Sequence, residues 1–253
     1  MDFGLKGRTA LVTGGSRGLG NAICMSLAQE GANIAINYKN NMEKANLLAS
    51  EIKDRYGVSA ITVQGNIDCE EDVKNIFREV QDQFPGLDIL VNNAGICPVS
   101  MVKDMTLEDW NSVRRSNLTG SFLTCREMVN SLINRGIPGN IVNIASQAAF
   151  NGSKTGKSHY SASKGGVVTF TLSLAKEVAC HGIKVNAVAP GMIHTEMTAD
   201  TLDRNMERYK REIPLGRIAE NEEVARVVTF LASKASSYMT GTTVDVSGGI
   251  IGR

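Results

Sequence analysis

The chain has 253 residues, a net charge of +1 and acidic and basic side chains scattered without blocks, which suits one undivided α/β domain and argues against a nucleic-acid partner. No apolar run approaches the roughly 20 residues that a membrane span needs, and the start, Met1 to Arg8, has no apolar signal core, so a cytoplasmic protein without a leader is expected. The five cysteines (24, 69, 97, 125 and 180) are odd in number and show no Cys-x-x-Cys, as expected of buried or half-buried free thiols rather than disulfides or metal ligands.

Strand-like and helix-like segments alternate. Strands are predicted at Thr9–Thr13, Asn33–Asn37, Ala60–Gln64, Leu87–Asn92, Asn140–Ala145, Lys184–Ala189 and Thr242–Val246, each short, apolar and rich in Val, Ile or Thr. Amphipathic helices are predicted at 18–30, 42–56, 70–83, 107–135, 158–180 and 221–233. Glycines at 31, 57, 136 and 182 mark helix ends. This order implies a parallel sheet with right-handed crossovers and helices on both faces. The segment 191–219 breaks the pattern with a long polar excursion after a strand, which suits a lid.

The first strand runs into Gly14-Gly-Ser16-Arg17-Gly18-Leu19-Gly20. Glycines here let a pyrophosphate approach the N-terminus of the next helix, where free N–H groups and the helix dipole favour an anion. Asn92-Asn93-Ala94-Gly95 closes the fourth strand, where a second part of a dinucleotide would lie; an ordinary turn is the alternative. The second strand ends Asn37-Tyr38-Lys39 with no carboxylate until Glu43. A site for NAD commonly carries Asp or Glu there to accept the ribose 2′-hydroxyl. Lys39 and Arg17 would instead suit a 2′-phosphate, so NADP(H) is favoured over NAD(H).

Tyr160 and Lys164 stand one helical turn apart. A phenol normally titrates near 10, and a neighbouring ammonium is expected to lower that value towards useful acid–base chemistry. Ser146 ends the fifth strand at the edge that also carries the glycine loop. Its hydroxyl is placed to donate to a carbonyl oxygen as charge develops, or simply to cap the following turn.

Together these motifs resemble the short-chain dehydrogenase/reductase family over nearly the whole chain, continuing through Pro190-Gly191-Met-Ile193-x-Thr195 and Gly241 to Gly249. The resemblance implies a single Rossmann-type, doubly wound domain with a seven-stranded parallel sheet spanning 1–253. It implies reversible carbonyl reduction, in which the nicotinamide exchanges a hydride with the substrate carbon. Tyr160 would exchange the proton, Ser146 would orient the oxygen, and Lys164 would hold the nicotinamide ribose. Asn117 would be a fourth catalytic member that positions a water for a proton relay. Asn66 and Ile67 would border the adenine, Asn93, Ala94 and Gly95 the adjacent ribose, and Pro190, Gly191, Ile193 and Thr195 the nicotinamide end. No metal is implied, and His159, His181 and His194 are expected to face solvent or lie in the lid rather than act as bases.

The subgroup that the chain is most similar to is the bacterial 3-oxoacyl-acyl-carrier-protein reductases, so an acyl-thioester or other small carbonyl substrate is implied. Polyol, sugar and steroid dehydrogenases share the same cues, and a non-catalytic NADP sensor is the remaining alternative. Met192, Met197, Leu202, Met206 and Tyr209 would line an apolar substrate pocket or pack the lid on the body. Lys103, Arg114, Arg115, Arg204, Arg208 and Lys210 are candidate contacts to a carrier protein. A homotetramer through 221–233 and 242–246 is implied. The interval from Ser146 to Tyr160 is one residue longer than usual, with the extra length placed in the loop Asn151–Lys157.

Overall fold

A computed structural model describes residues 2–251, the side chains of Asp200 and Thr201 excepted. Its strands are β1 (Thr9–Val12), β2 (Asn33–Tyr38), β3 (Ala60–Gln64), β4 (Ile89–Asn92), β5 (Gly139–Ile144), β6 (Ile183–Pro190) and β7 (Thr243–Val246). They pair in the order β3-β2-β1-β4-β5-β6-β7, every pair parallel. The helices are α1 (Gly18–Gln29), α2 (Met42–Tyr56), α3 (Glu70–Gln83), α4 (Leu107–Arg114), α5 (Gly120–Arg135), α6 (Ala148–Asn151), α7 (Ser158–Val178), α8 (Ala199–Glu212) and α9 (Asn221–Ala232).

The strands read as continuous apolar runs because both of their faces are covered. On β1, Ala10 and Val12 join a core with α1, α2 and α9, while Leu11 faces the opposite core with α3, α5 and α7. One residue of offset along a strand therefore switches the layer it serves. Val224, Val228 and Leu231 of α9 are fully buried in the first core, so they serve intramolecular packing. Helices α2 and α5 end on Gly57 and Gly136 in left-handed conformation, as the glycine punctuation predicted.

The expected single helix over 107–135 is broken. A π-helical turn, Arg115–Thr119, joins α4 to α5 and contains the fully buried Asn117. Such turns insert a residue into the helical repeat and often occur at functional sites. The short helix α6 leads into the expected loop Asn151–Lys157, in which Gly156 O accepts from Ser100 N–H at 2.8 Å. That bond ties this loop to the one following β4.

Two side-chain expectations are corrected. His159 is 2% exposed because α7 packs against α4; neither ring nitrogen is hydrogen-bonded among the described residues, and the nearby charge is Asp109 of α4. Cys180, in the exposed turn after α7, is not buried; Cys24 and Cys125 are, and Cys69 and Cys97 are half-buried.

Candidate active site

The sheet changes its direction of winding between β1 and β4, which opens a crevice at their carboxyl ends. The glycine loop and the segment after β4 are fastened together there. Thr13 Oγ1 accepts from the N–H groups of Asn93 (3.0 Å) and Ala94 (3.1 Å). Asn93 Nδ2 donates to the carbonyls of Thr13 (3.0 Å) and Gly14 (3.1 Å). Space is the reason for glycine at position 20: a Cβ there would sit 2.3 Å from Gly14 O and 2.7 Å from Asn93 Nδ2. Gly14 and Gly18 take φ of +61° and +52°, which other residues adopt only under strain. Arg17 caps α1 without a side-chain bond to the helix, leaving the first N–H groups of the helix open to a ligand. Ser16 and Leu19 are buried, Leu19 within the core. This donor set, in a loop with no room for a Cβ at Gly20, fits a dinucleotide pyrophosphate.

At the end of β2 the predicted residues separate. Asn37 is buried; its Oδ1 accepts from Gly14 N–H (3.3 Å) and its Nδ2 donates to Val63 O and Gly65 O. It therefore braces the glycine loop against β3. Tyr38 is buried in the first core. Lys39 is exposed, and its carbonyl accepts from Gln64 Nε2 at 3.2 Å. Asn66 bonds the Asp68 carboxylate through its amide and the Asp72 carboxylate through its N–H. The Ile67 side chain turns into the second core against Gly120.

Pro190 is buried, and its carbonyl accepts from Gln147 N–H at 2.9 Å. Gly191 lies so close to Ser247 that a Cβ would meet its Cα at 2.8 Å. Ile193 bridges to Ala219, closing the 191–219 excursion on itself. Thr195 reaches the glycine loop: a Cβ on Gly18 would lie 3.4 Å from its methyl group. Sequence reasoning missed its neighbour Glu196, which binds Arg17 at 2.7 Å and Lys44 at 2.5 Å. These two cations hold the Glu196 carboxyl below its usual range. Lys44, in the first turn of α2, was missed too, because only the fold brings that turn beside the glycine loop.

Asn117 and Lys164 meet at Gly95, and Tyr160 lies between Lys164 and Ser146. A Cβ on Gly95 would lie 2.9 Å from Asn117 Oδ1 and 3.7 Å from Lys164 Nζ. Lys164 Nζ stands 5.9 Å from the centre of the Tyr160 ring and donates to Ile144 O at 2.6 Å. Ser146 accepts from Ala148 N–H at 3.1 Å, the capping alternative weighed for it, and its hydroxyl lies beside Tyr160. Asn117 Nδ2 donates to Ile96 O and to Ser163 Oγ, and its Oδ1 accepts from Ile96 N–H.

The expected lowering of the Tyr160 pKa is not found. Desolvation pushes the phenol up to about 12, and the bond from Ser146 offsets this only in part. Desolvation is also what brings the Lys164 ammonium down to about 8. Burial acts against the charged form of each group. Cys97 lies close enough to influence both, a neighbour that its position in the sequence did not disclose.

The pocket residues expected in the lid divide. Leu202 belongs to a small core with Ile213 and Ile218, packed by Met192, Met206 and Tyr209, so these four serve the lid itself. Met197 is 55% exposed. Among the carrier-protein candidates, Lys103, Arg115, Arg208 and Lys210 are each paired with a nearby carboxylate.

Residues 14–251 match the family model described as Enoyl-(Acyl carrier protein) reductase. The chain is 44% identical to a 3-oxoacyl-acyl-carrier-protein reductase FabG of Aquifex aeolicus, over 99% of this chain and all of that one. It is 41% identical to the FabG of Staphylococcus aureus strain Mu50, over 96% of this chain and 98% of that one. The crystal structure of a short-chain type dehydrogenase/reductase from Mycobacterium marinum superimposes with a TM-score of 0.94 at 34% identity, covering 98% of this chain and 97% of that one. The chain belongs to the short-chain dehydrogenase/reductase family. It is an oxidoreductase of that family, whose members use nicotinamide dinucleotides. No helix among the described residues is long and apolar enough to cross a membrane.

Proposed function

We propose that the chain is an NADP(H)-dependent reductase of 3-oxoacyl thioesters or closely similar ketones, with Ser146, Tyr160, Lys164 and Asn117 as its catalytic group. The observation that carries this reading is the chain of neighbours beside the glycine loop: Asn117 and Lys164 at Gly95, Lys164 beside the Tyr160 ring, and Tyr160 beside Ser146. Gly14 to Gly20 would cradle the pyrophosphate, and the 191–219 lid would cover the nicotinamide end. The bound cofactor supplies or accepts the hydride.

Tyr160, protonated at neutral pH because its pKa lies near 12, gives its proton to the carbonyl oxygen. Ser146 donates to the same oxygen as negative charge develops on it. Lys164, with a pKa near 8, can release and regain a proton close to neutrality and so reload the phenol. Both amide hydrogens of Asn117 are engaged, but Oδ1 keeps a second lone pair on which to hold the relay water.

Arg17 and Lys44, drawn within reach of one carboxylate, support recognition of a 2′-phosphate. Substrate choice rests on exposed apolar side chains: Val99, Met101 and Val102 after β4, and Met197 and Leu215 of the lid. They favour an acyl chain over a sugar. A homotetramer belongs to the same proposal, since β7 is the outer strand of the sheet and is only partly covered.

The test is NADPH oxidation with a 3-oxoacyl thioester, a diketone, a sugar and a steroid. The thioester is expected to turn over fastest, and Tyr160→Phe is expected to cut turnover about a hundredfold while NADPH affinity stays within about twofold. Tight NADPH binding without oxidation by any carbonyl would identify a sensor instead. Full turnover in the Tyr160→Phe variant would remove Tyr160 from the acid role.

A further inference from the structure

Glu196 is the only acidic side chain bonded to both Arg17 and Lys44 among the described residues. Its two oxygens are divided between them: Oε2 takes Arg17 at 2.7 Å and Oε1 takes Lys44 at 2.5 Å. The two cations come from different elements, the glycine loop and the first turn of α2, and the carboxylate comes from the lid. Thr195, the preceding residue, rests on Gly18. The lid is thus tied across the glycine loop by one anion on two cations, and those cations are the pair suited to a phosphomonoester.

We infer that Glu196 is an internal stand-in for the 2′-phosphate: its carboxylate latches the lid to Arg17 and Lys44, and a phosphate dianion must displace it to bind. The inference rests on the NADP(H) reading above. All three partners are 48–63% exposed, so the latch is weak. A dianion with three acceptor oxygens outcompetes a monoanion for a guanidinium and an ammonium. A cofactor with a bare 2′-hydroxyl cannot make that exchange. Glu196 would therefore couple phosphate recognition to release of the lid, and would moderate the affinity for NADPH without affecting that for NADH.

The experiment measures the Kd of NADPH and of NADH by titration of cofactor fluorescence, for the native enzyme and for Glu196→Gln, Glu196→Ala and the double variant Arg17→Ala with Lys44→Ala. Hydrogen exchange of the 193–198 amides is followed in the same proteins without cofactor. Removing the carboxylate is expected to tighten NADPH binding about threefold to tenfold, leave NADH within about twofold, and speed lid exchange several-fold. An NADPH Kd that is unchanged or weaker in both Glu196 variants overturns the latch, as does unchanged lid exchange. If the native enzyme prefers NADPH and the double variant loses that preference, the phosphate reading stands whatever the Glu196 variants do. If the native enzyme binds both cofactors equally and the double variant weakens both alike, the phosphate reading falls and the latch with it.

Discussion

Asn117 and Ile96 are joined by a reciprocal pair of hydrogen bonds, with Ile96 N–H donating to Oδ1 at 2.8 Å and Nδ2 donating to Ile96 O at 3.0 Å. One side chain on a π turn thereby completes the main-chain bonding of a loop that leaves the sheet without a strand partner. Ser163 adds a third bond from α7, three residues after Tyr160, and itself donates to Tyr160 O at 2.7 Å. The loop after β4, the α4–α5 junction and the start of α7 are thus held as one piece.

Asn117→Ala is therefore expected to lose stability as well as turnover. It leaves an N–H and a carbonyl of the half-exposed Ile96 without their partner, and removes a buried side chain that donates to Ser163, at a cost of about 1–3 kcal/mol per group where water cannot reach. A drop of about 2–4 kcal/mol in denaturant unfolding is expected. Unchanged stability with lost turnover would assign Asn117 to chemistry alone.

The stability of the cofactor-free enzyme should depend on alkaline pH through Lys164 and Tyr160. Lys164 titrates near 8 when folded, against an ordinary value of 10.5. Below pH 8 both states carry the proton and the cost of burying the charge is borne in full. Between about 8 and 10.5 the unfolded chain binds the extra proton, so unfolding free energy rises with pH, by up to about 3 kcal/mol. Tyr160 acts in the opposite sense: its folded value is near 12 against 10, so above pH 10 the unfolded chain loses the proton first and stability falls. Urea unfolding from pH 7 to 10 should show the rise, and Lys164→Met should flatten it. A native curve that is already flat would contradict the buried-charge account.

Gly20→Ala should destroy cofactor binding. Its Cβ would fall 2.3 Å from the Gly14 carbonyl, a main-chain clash that no rotamer can relieve. A loss of stability of about 2 kcal/mol or more is expected, with NADPH binding undetectable by titration. Near-native binding would mean that the loop can open without loss of its function.

Lys39 and Lys44 make opposite predictions for the cofactor. Lys39 has no ion pair among the described residues, whereas Lys44 shares a carboxylate with Arg17. Lys44→Ala should weaken NADPH about fivefold to tenfold, while Lys39→Ala stays within about twofold. The reverse order in cofactor titration would favour Lys39, the assignment read from the sequence.

What lay in the sequence was whatever repeats along the chain or depends on neighbours in it. The alternation of apolar runs and amphipathic segments is local patterning, and it located all seven strands to within two residues and the sheet between two helical layers. The glycine loop, the Tyr160–Lys164 spacing and the strand-end Ser146 were legible for the same reason, since each is a short motif whose residue types have few other uses in that order. What only the tertiary structure decided involves partners distant in the chain. The bonds from Asn117 to Ile96 and from Glu196 to Arg17 and Lys44 join elements that the sheet order brings side by side. Packing of Leu202, Met206 and Tyr209 into the lid, and of His159 beneath α4, depends on which face of a helix finds cover. The ionisation of Tyr160 and Lys164 was misjudged from spacing alone: a neighbouring charge can be read along a helix, but the loss of water around both groups exists only once the fold has closed over them.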